Sequence, residues 1–302
     1  MSIDVLIKNK QLFKKTLSLQ DVTLGKYACG KLDEFGRNDR KSCEGNIVIY
    51  DPKKIGRGVS LTWTPDMKNE IALSVNFLST KYDMEMFYAI IRNVMQVWKA
   101  KTFEQDGISF SEADIDRLCD KQKESSLAFM SDVNQLTKGN KSEFITIFGA
   151  MFPLDIEIQV IEKYGAEKDA EGYAEYLHKL QSIDAYYAVP LIYKNKKKAN
   201  SFLGNFAITS DTDTVFPIEA KVPFGFKNPT TGGDLSCDFF AVTLFSYKKN
   251  KVVGTMFFED FIKQAEVLNN PMFDKTHVLL KGISEEKMDE LANSEHRDPL
   301  NG

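Results

Sequence analysis

Histidine and cysteine are scarce in this sequence. Its 302 residues hold three histidines, His178, His277 and His296, and four cysteines, Cys29, Cys43, Cys119 and Cys237. No two cysteines form a C-x-x-C pair, so the paired spacings of a structural zinc site are missing. There is no G-x-S-x-G, which removes the hydrolase nucleophile elbow. No apolar run approaches the ~20 residues that span a bilayer. The short apolar stretch at the start, Ile3 to Ile7, is interrupted by Asp4 and is too brief for a secretory core. The expectation is a cytoplasmic protein with four free thiols, no cofactor and no transition metal.

What is present is an ordinary globular mixture. Hydrophobic residues make up 43% and charged residues 27%, enough apolar surface to fold. The net charge is −4, so neither a phosphate backbone nor an anionic membrane is an expected partner. With 22 Phe and 11 Tyr, aromatic rings are the expected core fillers.

Hydrophobic periodicity predicts an α+β fold of mainly antiparallel sheets built from hairpins, each covered on one face by helices. Ile3, Val5 and Ile7 mark a strand, and residues 25–45, rich in glycine, read as a loop. Val59, Leu61 and Trp63, then a Pro65-Asp66 turn, then Ile71, Leu73, Val75 and Phe77 predict a hairpin with one buried face. Thr80 with Asp83 opens a helix whose stripe of Met84, Phe87, Ile91, Met95 and Trp98 faces the core. Ser111 with Asp114 opens a second, with a break expected near Ser125-Ser126. Strands are expected at 144–148, 202–208, 215–218 and 276–281, helices at 153–164 and 167–182, and one interrupted strand at 186–193 where Pro190 intervenes. A second hairpin and helix at 237–268 echo the unit at 58–100. The polar stretch at 131–142 suggests an N-terminal half, 1–137, and a C-terminal half, 138–302.

Candidate chemistry is sparse, and each candidate has a plainer account. Glu175 and His178 stand at i, i+3 on a helix, as in carboxylate di-iron bundles, but a second such pair is missing and a surface helix explains them. Asp211-Thr212-Asp213 resembles a D-x-D cation site for a metal-dependent hydrolase or transferase, yet its neighbours are those of a common turn. Gly56-Arg57-Gly58 precedes a strand, the wrong context for a phosphate cradle. Lys194, Lys196, Lys197 and Lys198 beside Tyr186, Tyr187 and Tyr193 could hold single-stranded nucleic acid, but lysines also keep an edge strand soluble.

The 57–115 segment carries a resemblance. Arg57-Gly58 with Leu61 and Trp63, Ser79-Thr80 with Asp83, and Ser111 with Asp114-Ile115 together resemble an uncharacterised domain-of-unknown-function family of Gram-positive bacteria. The family's similar length implies that the resemblance extends over the whole chain, and it brings no catalytic or binding residues with it. The function expected from these readings is non-enzymatic: an accessory or immunity-like protein whose partner is another protein, with no nucleic acid and no membrane.

Overall fold

A computed structural model describes residues 2–133, 143–195, 200–223, 225–295 and 299 of the chain. They fall into two compact units, Met1–Ile183 and Asp184–Gly302.

The first unit is built on an eight-stranded antiparallel sheet. Its strands are β1 (Ser2–Lys8), β2 (Ala28–Leu32), β3 (Asn38–Asp39), β4 (Gly45–Tyr50), β5 (Val59–Trp63), β6 (Glu70–Asn76), β7 (Thr102–Gln105) and β8 (Ile108–Ser111), in the order β3-β2-β4-β5-β6-β1-β7-β8. Register follows the period-2 pattern: Ile3, Val5 and Ile7 lie opposite Val75, Leu73 and Ile71, and all six are buried. After the short helix α1 (Leu19–Thr23), helix α2 (Lys81–Trp98) lays Met84, Phe87, Ile91, Met95 and Trp98 into the same core. Each such side chain contributes ~1.5–3 kcal/mol on burial. The Thr80–Asp83 capping box is formed as the spacing predicts, and Ser111 and Asp114 form another.

Helix α3 (Ile115–Ser131) runs through Ser125-Ser126 without the expected break, because Ser126 is buried and its hydroxyl donates to the Ser79 carbonyl. Residues 25–45 contain strands β2 and β3 rather than only a loop. The helix expected at 153–164 is strand β10 (Pro153–Glu157) followed by helix α4 (Ile158–Ala166). Leu154 and Ile156 alternate into the interior, and β10 pairs with β9 (Phe144–Phe148), so period 2 wins over the first residues. Helix α5 (Ala170–Gln181) completes the unit.

These last elements lie within the first compact unit, Met1–Ile183. The Ala150 amide donates to the Gly56 carbonyl, the Tyr173 hydroxyl to the Leu78 carbonyl, and Glu171 binds Lys54 and Lys81. Residues 144–181 are therefore tied to the first sheet and its helix.

The second unit holds two smaller sheets. Strands β12 (Leu191–Lys194), β13 (Phe202–Thr209), β15 (Phe239–Ser246) and β16 (Lys251–Phe257) form one, in that order, and β11 (Tyr186–Tyr187), β14 (Thr214–Pro217) and β17 (His277–Leu280) form the other. The expected interrupted strand is thus two strands in different sheets, with Pro190 between them. β15 and β16 are the expected hairpin, but β13–β15 and β11–β14 are parallel pairs. Helices α6 (Phe258–Gln264) and α7 (Glu285–Asn293) join their core, where Phe206, Phe258 and Phe261 surround Phe216 with ring centroids 5.2–5.5 Å away. The α+β reading with mainly antiparallel sheets holds.

The expectation of four free thiols does not. Cys29 and Cys43 form a disulfide, with Cα atoms 5.9 Å apart, while Cys119 and Cys237 are free. The chain folds back from β2 through β3 into β4, which brings together two thiols 14 residues apart in sequence. Unfolded but unreduced protein should titrate only Cys119 and Cys237, and reduction should lower unfolding stability by about 3 kcal/mol, the loop-closure value for this separation. Four reactive thiols before reduction would exclude the bond.

Candidate functional site

The loop after β1 displays two large apolar side chains to solvent. Leu12 is 91% exposed and Phe13 is 87% exposed. The loop around them is pinned. Asn9 is buried, its Oδ1 accepts from the Gln11 amide at 3.1 Å, and its Nδ2 donates to the Lys15 carbonyl at 3.3 Å. The Trp98 indole N–H donates to the same carbonyl at 2.8 Å. Lys14 Nζ donates to Asn69 Oδ1 at 2.8 Å, and the Leu17 amide to the Met67 carbonyl at 2.9 Å. Leu17 is buried, so the chain re-enters the core just beyond the tip.

Beside this tip lies a cleft of about 370 Å³. Trp98 and Phe103, both buried, contribute to its lining, together with Lys8, Lys10, Lys99 and Lys101. Glu104 pairs with Lys8 at 3.5 Å. No ion pair engages Lys10, Lys99 or Lys101 among the described residues. The arrangement gathers lysine side chains with the hydrocarbon of Leu6 and Ala100, which suits an anionic group with an attached apolar stem. The signal in the sequence was Lys10-Gln11-Leu12-Phe13-Lys14-Lys15, adjacent bulky residues between lysines directly after a strand.

The residues singled out from sequence are engaged elsewhere. Asp211 and Asp213 share the turn between β13 and β14. Lys281 Nζ sits 2.7 Å from Asp213 and the Gly282 amide donates to it at 2.8 Å. The Lys281 hydrogen bond, then the Gly282 amide, hold the Asp213 carboxyl below its usual range. Asp211 is in the left-handed region, φ 55°, and its amide donates to the Ile283 carbonyl. His178 Nδ1 accepts from the Ile55 amide at 3.0 Å and steadies the loop before β5, whereas Glu175 is exposed on the same helix. Among the described residues, no three His, Cys, Asp or Glu side chains gather as a metal would require. Lys194 ends β12, and Lys196, Lys197, Lys198 and His296 lie outside the described residues.

The Arg57 and Gly58 amides do cradle a carboxylate, but it is the chain's own. Asp83 Oδ2 accepts from the Arg57 amide at 3.0 Å and from the Thr80 amide at 2.8 Å, while Oδ1 accepts from the Gly58 amide at 2.8 Å. A Cβ on Gly56 would lie 2.3 Å from Asp83 Oδ2, so this close approach needs glycine. Burial raises both free thiols, Cys119 and Cys237, to about 11, far from an activated nucleophile.

Two further polar sets escaped sequence reasoning because their members are far apart in the chain. Asp274 Oδ1 lies 2.8 Å from His277 Nδ1, and His277 Nε2 lies 3.3 Å from the Tyr187 hydroxyl. This chain links β11 to β17 on either side of β14. In the other set, Glu285 accepts from the hydroxyls of Ser210 and Ser246, each at 2.5 Å, and from the Lys248 amide at 2.9 Å. It fastens the start of α7 to the ends of β13 and β15.

The described residues form two α+β units, the first of which carries the pinned Leu12–Phe13 tip. The chain belongs to the family described as "Domain of unknown function (DUF4299)", whose model matches residues 2–291. No curated protein and no solved structure matches it. No helix among the described residues is long and apolar enough to cross a membrane.

The Glu285 set makes a pH prediction. The Ser210 and Ser246 hydroxyls, then the Lys248 amide, hold the carboxyl down from 4.5 to about 2. A depressed carboxylate stabilises the fold above its unfolded value and loses that contribution as pH falls through its folded value. Wild-type melting temperature should therefore drop more steeply than that of Glu285→Gln between pH 4.5 and about 2. Parallel curves would show that the carboxylate adds nothing.

Proposed function

We propose that this chain is a non-enzymatic binding protein, of the accessory or immunity-like kind that sequesters another protein, and that the Leu12–Phe13 tip is its contact. The observation that carries this reading is the exposure of two adjacent large apolar side chains on a loop held by Asn9, Trp98 and Lys14. Leaving them in water forgoes ~1.5–3 kcal/mol each, which a partner recovers by covering them. A pinned loop adds little ordering cost on association. The Cys29–Cys43 bond favours an oxidising setting for that encounter over the cytoplasm expected from composition. A metal-dependent hydrolase or transferase at Asp211 and Asp213 has less support, since Lys281 and Gly282 occupy Asp213.

A photo-crosslinking residue at position 13, introduced in the cells that make this protein, should yield one dominant protein adduct. The same residue at exposed Thr62 should not. The purified adduct partner should bind the wild-type chain in calorimetry, and Leu12→Ser with Phe13→Ser should weaken binding by about 2 kcal/mol or more per position, the hot-spot range. Adducts confined to lipid, or equal adducts at both positions, would reject the reading.

A further inference from the structure

We infer that the lysine-lined cleft beside the tip is a subsite for carboxylate side chains, so the segment that docks here is an acidic stretch of a protein. This deepens the reading above and rests on it.

The first ground is charge. Lys8, Lys10, Lys99 and Lys101 converge on one cleft with Glu104 among its lining residues, in a chain whose net charge is −4. Positive charge is thus concentrated against the overall balance. Glu104 pairs with Lys8, and among the described residues no ion pair engages Lys10, Lys99 or Lys101. The C-terminal end of α2 accounts for part of this, because helix carbonyls attract cations and Lys99 is the cap. It does not account for Lys8 and Lys10, which come from the end of β1 and the residues after it.

The second ground is shape. About 370 Å³ is near the low end of pockets that enclose small ligands, ~300–1,000 Å³. It admits one or two side chains and not a folded surface. Leu6 and Ala100 add hydrocarbon to its lining beside the lysine stems. A carboxylate on a short hydrocarbon stem matches both features, with its neighbours in the segment covering Leu12 and Phe13. A flat bilayer could take the tip but would not fill a concavity, and the acidic remainder of the chain opposes an anionic lipid surface. The local charge therefore points to a partner that reaches into the cleft.

The test uses the full chain and fluorescein-labelled synthetic peptides in which glutamates flank a Leu-Phe pair. Anisotropy should show micromolar binding in dilute salt, lost on raising ionic strength to about 1 M, where screening acts within about 3 Å. A glutamine-for-glutamate peptide should bind at least tenfold more weakly. Lys99→Glu with Lys101→Glu should lower affinity for the acidic peptide at least tenfold, and Lys99→Gln with Lys101→Gln should lower it less. Both pairs are exposed, and circular dichroism would verify their fold. Affinity unchanged by charge reversal would overturn the subsite. So would binding of phosphatidylglycerol vesicles or of a single-stranded oligonucleotide with no binding of the acidic peptide. A crosslinked partner that needs Leu12 and Phe13 but ignores Lys99 and Lys101 would remove the subsite and leave the binding protein standing. A partner indifferent to all four positions would remove both.

Discussion

A single buried carboxylate organises the first unit. Asp83 is almost fully enclosed, and such a charge costs several kcal/mol unless its lone pairs are filled. Here they are filled by the amides of Arg57, Gly58 and Thr80 and by the Thr80 hydroxyl. The same contacts that cap α2 therefore fix the turn entering β5. Arg57 extends the arrangement, since its guanidinium donates to the carbonyls of Phe148 and Phe77 and so connects β9 and the end of β6 to the turn. Helix start, strand start and the β9–β10 hairpin are set by one cluster.

The other end of α2 carries the proposed function. Asp83 holds its first turn, the stripe from Met84 to Met95 holds its middle, and Trp98 at its last position reaches the Lys15 carbonyl. A helix anchored along its whole length is a rigid post for the loop that bears Leu12 and Phe13. Lys99 then turns the chain in the left-handed region, φ 48°, and places Lys101 beside the same cleft. Tip and cleft thus share one support, which is why an apolar contact and an ionic one can act on a single partner segment. The Cys29–Cys43 bond links β2 to the turn before β4 on one side of the sheet.

Elements with local signals were legible in the sequence. The β5–β6 and β15–β16 hairpins, the Thr80–Asp83 cap and the α2 stripe all follow from spacing within about 20 residues of one another, and they appear as expected. What failed depended on distant partners. Ser126 looks like a helix breaker until Ser79 supplies an acceptor. Cys29 and Cys43 look unrelated until β2 and β4 pair. The plainer account of Asp211 and Asp213 as a turn left out Lys281, which binds Asp213 from 68 residues further along the chain. The Leu12–Phe13 tip was not singled out from the sequence. Its exposure and its fastening by Trp98 both require the fold.

The central claim is that this tip is presented by a rigid support, and native-state hydrogen exchange tests it most directly. The amides of Gln11 and Leu17, which donate to Asn9 Oδ1 and the Met67 carbonyl, should be protected in the wild-type chain. Trp98→Phe keeps an aromatic ring but removes the N–H that binds Lys15, so it should release the loop amides while the middle of α2 stays protected. Exchange of Gln11 and Leu17 at free-peptide rates in the wild-type protein would contradict the account.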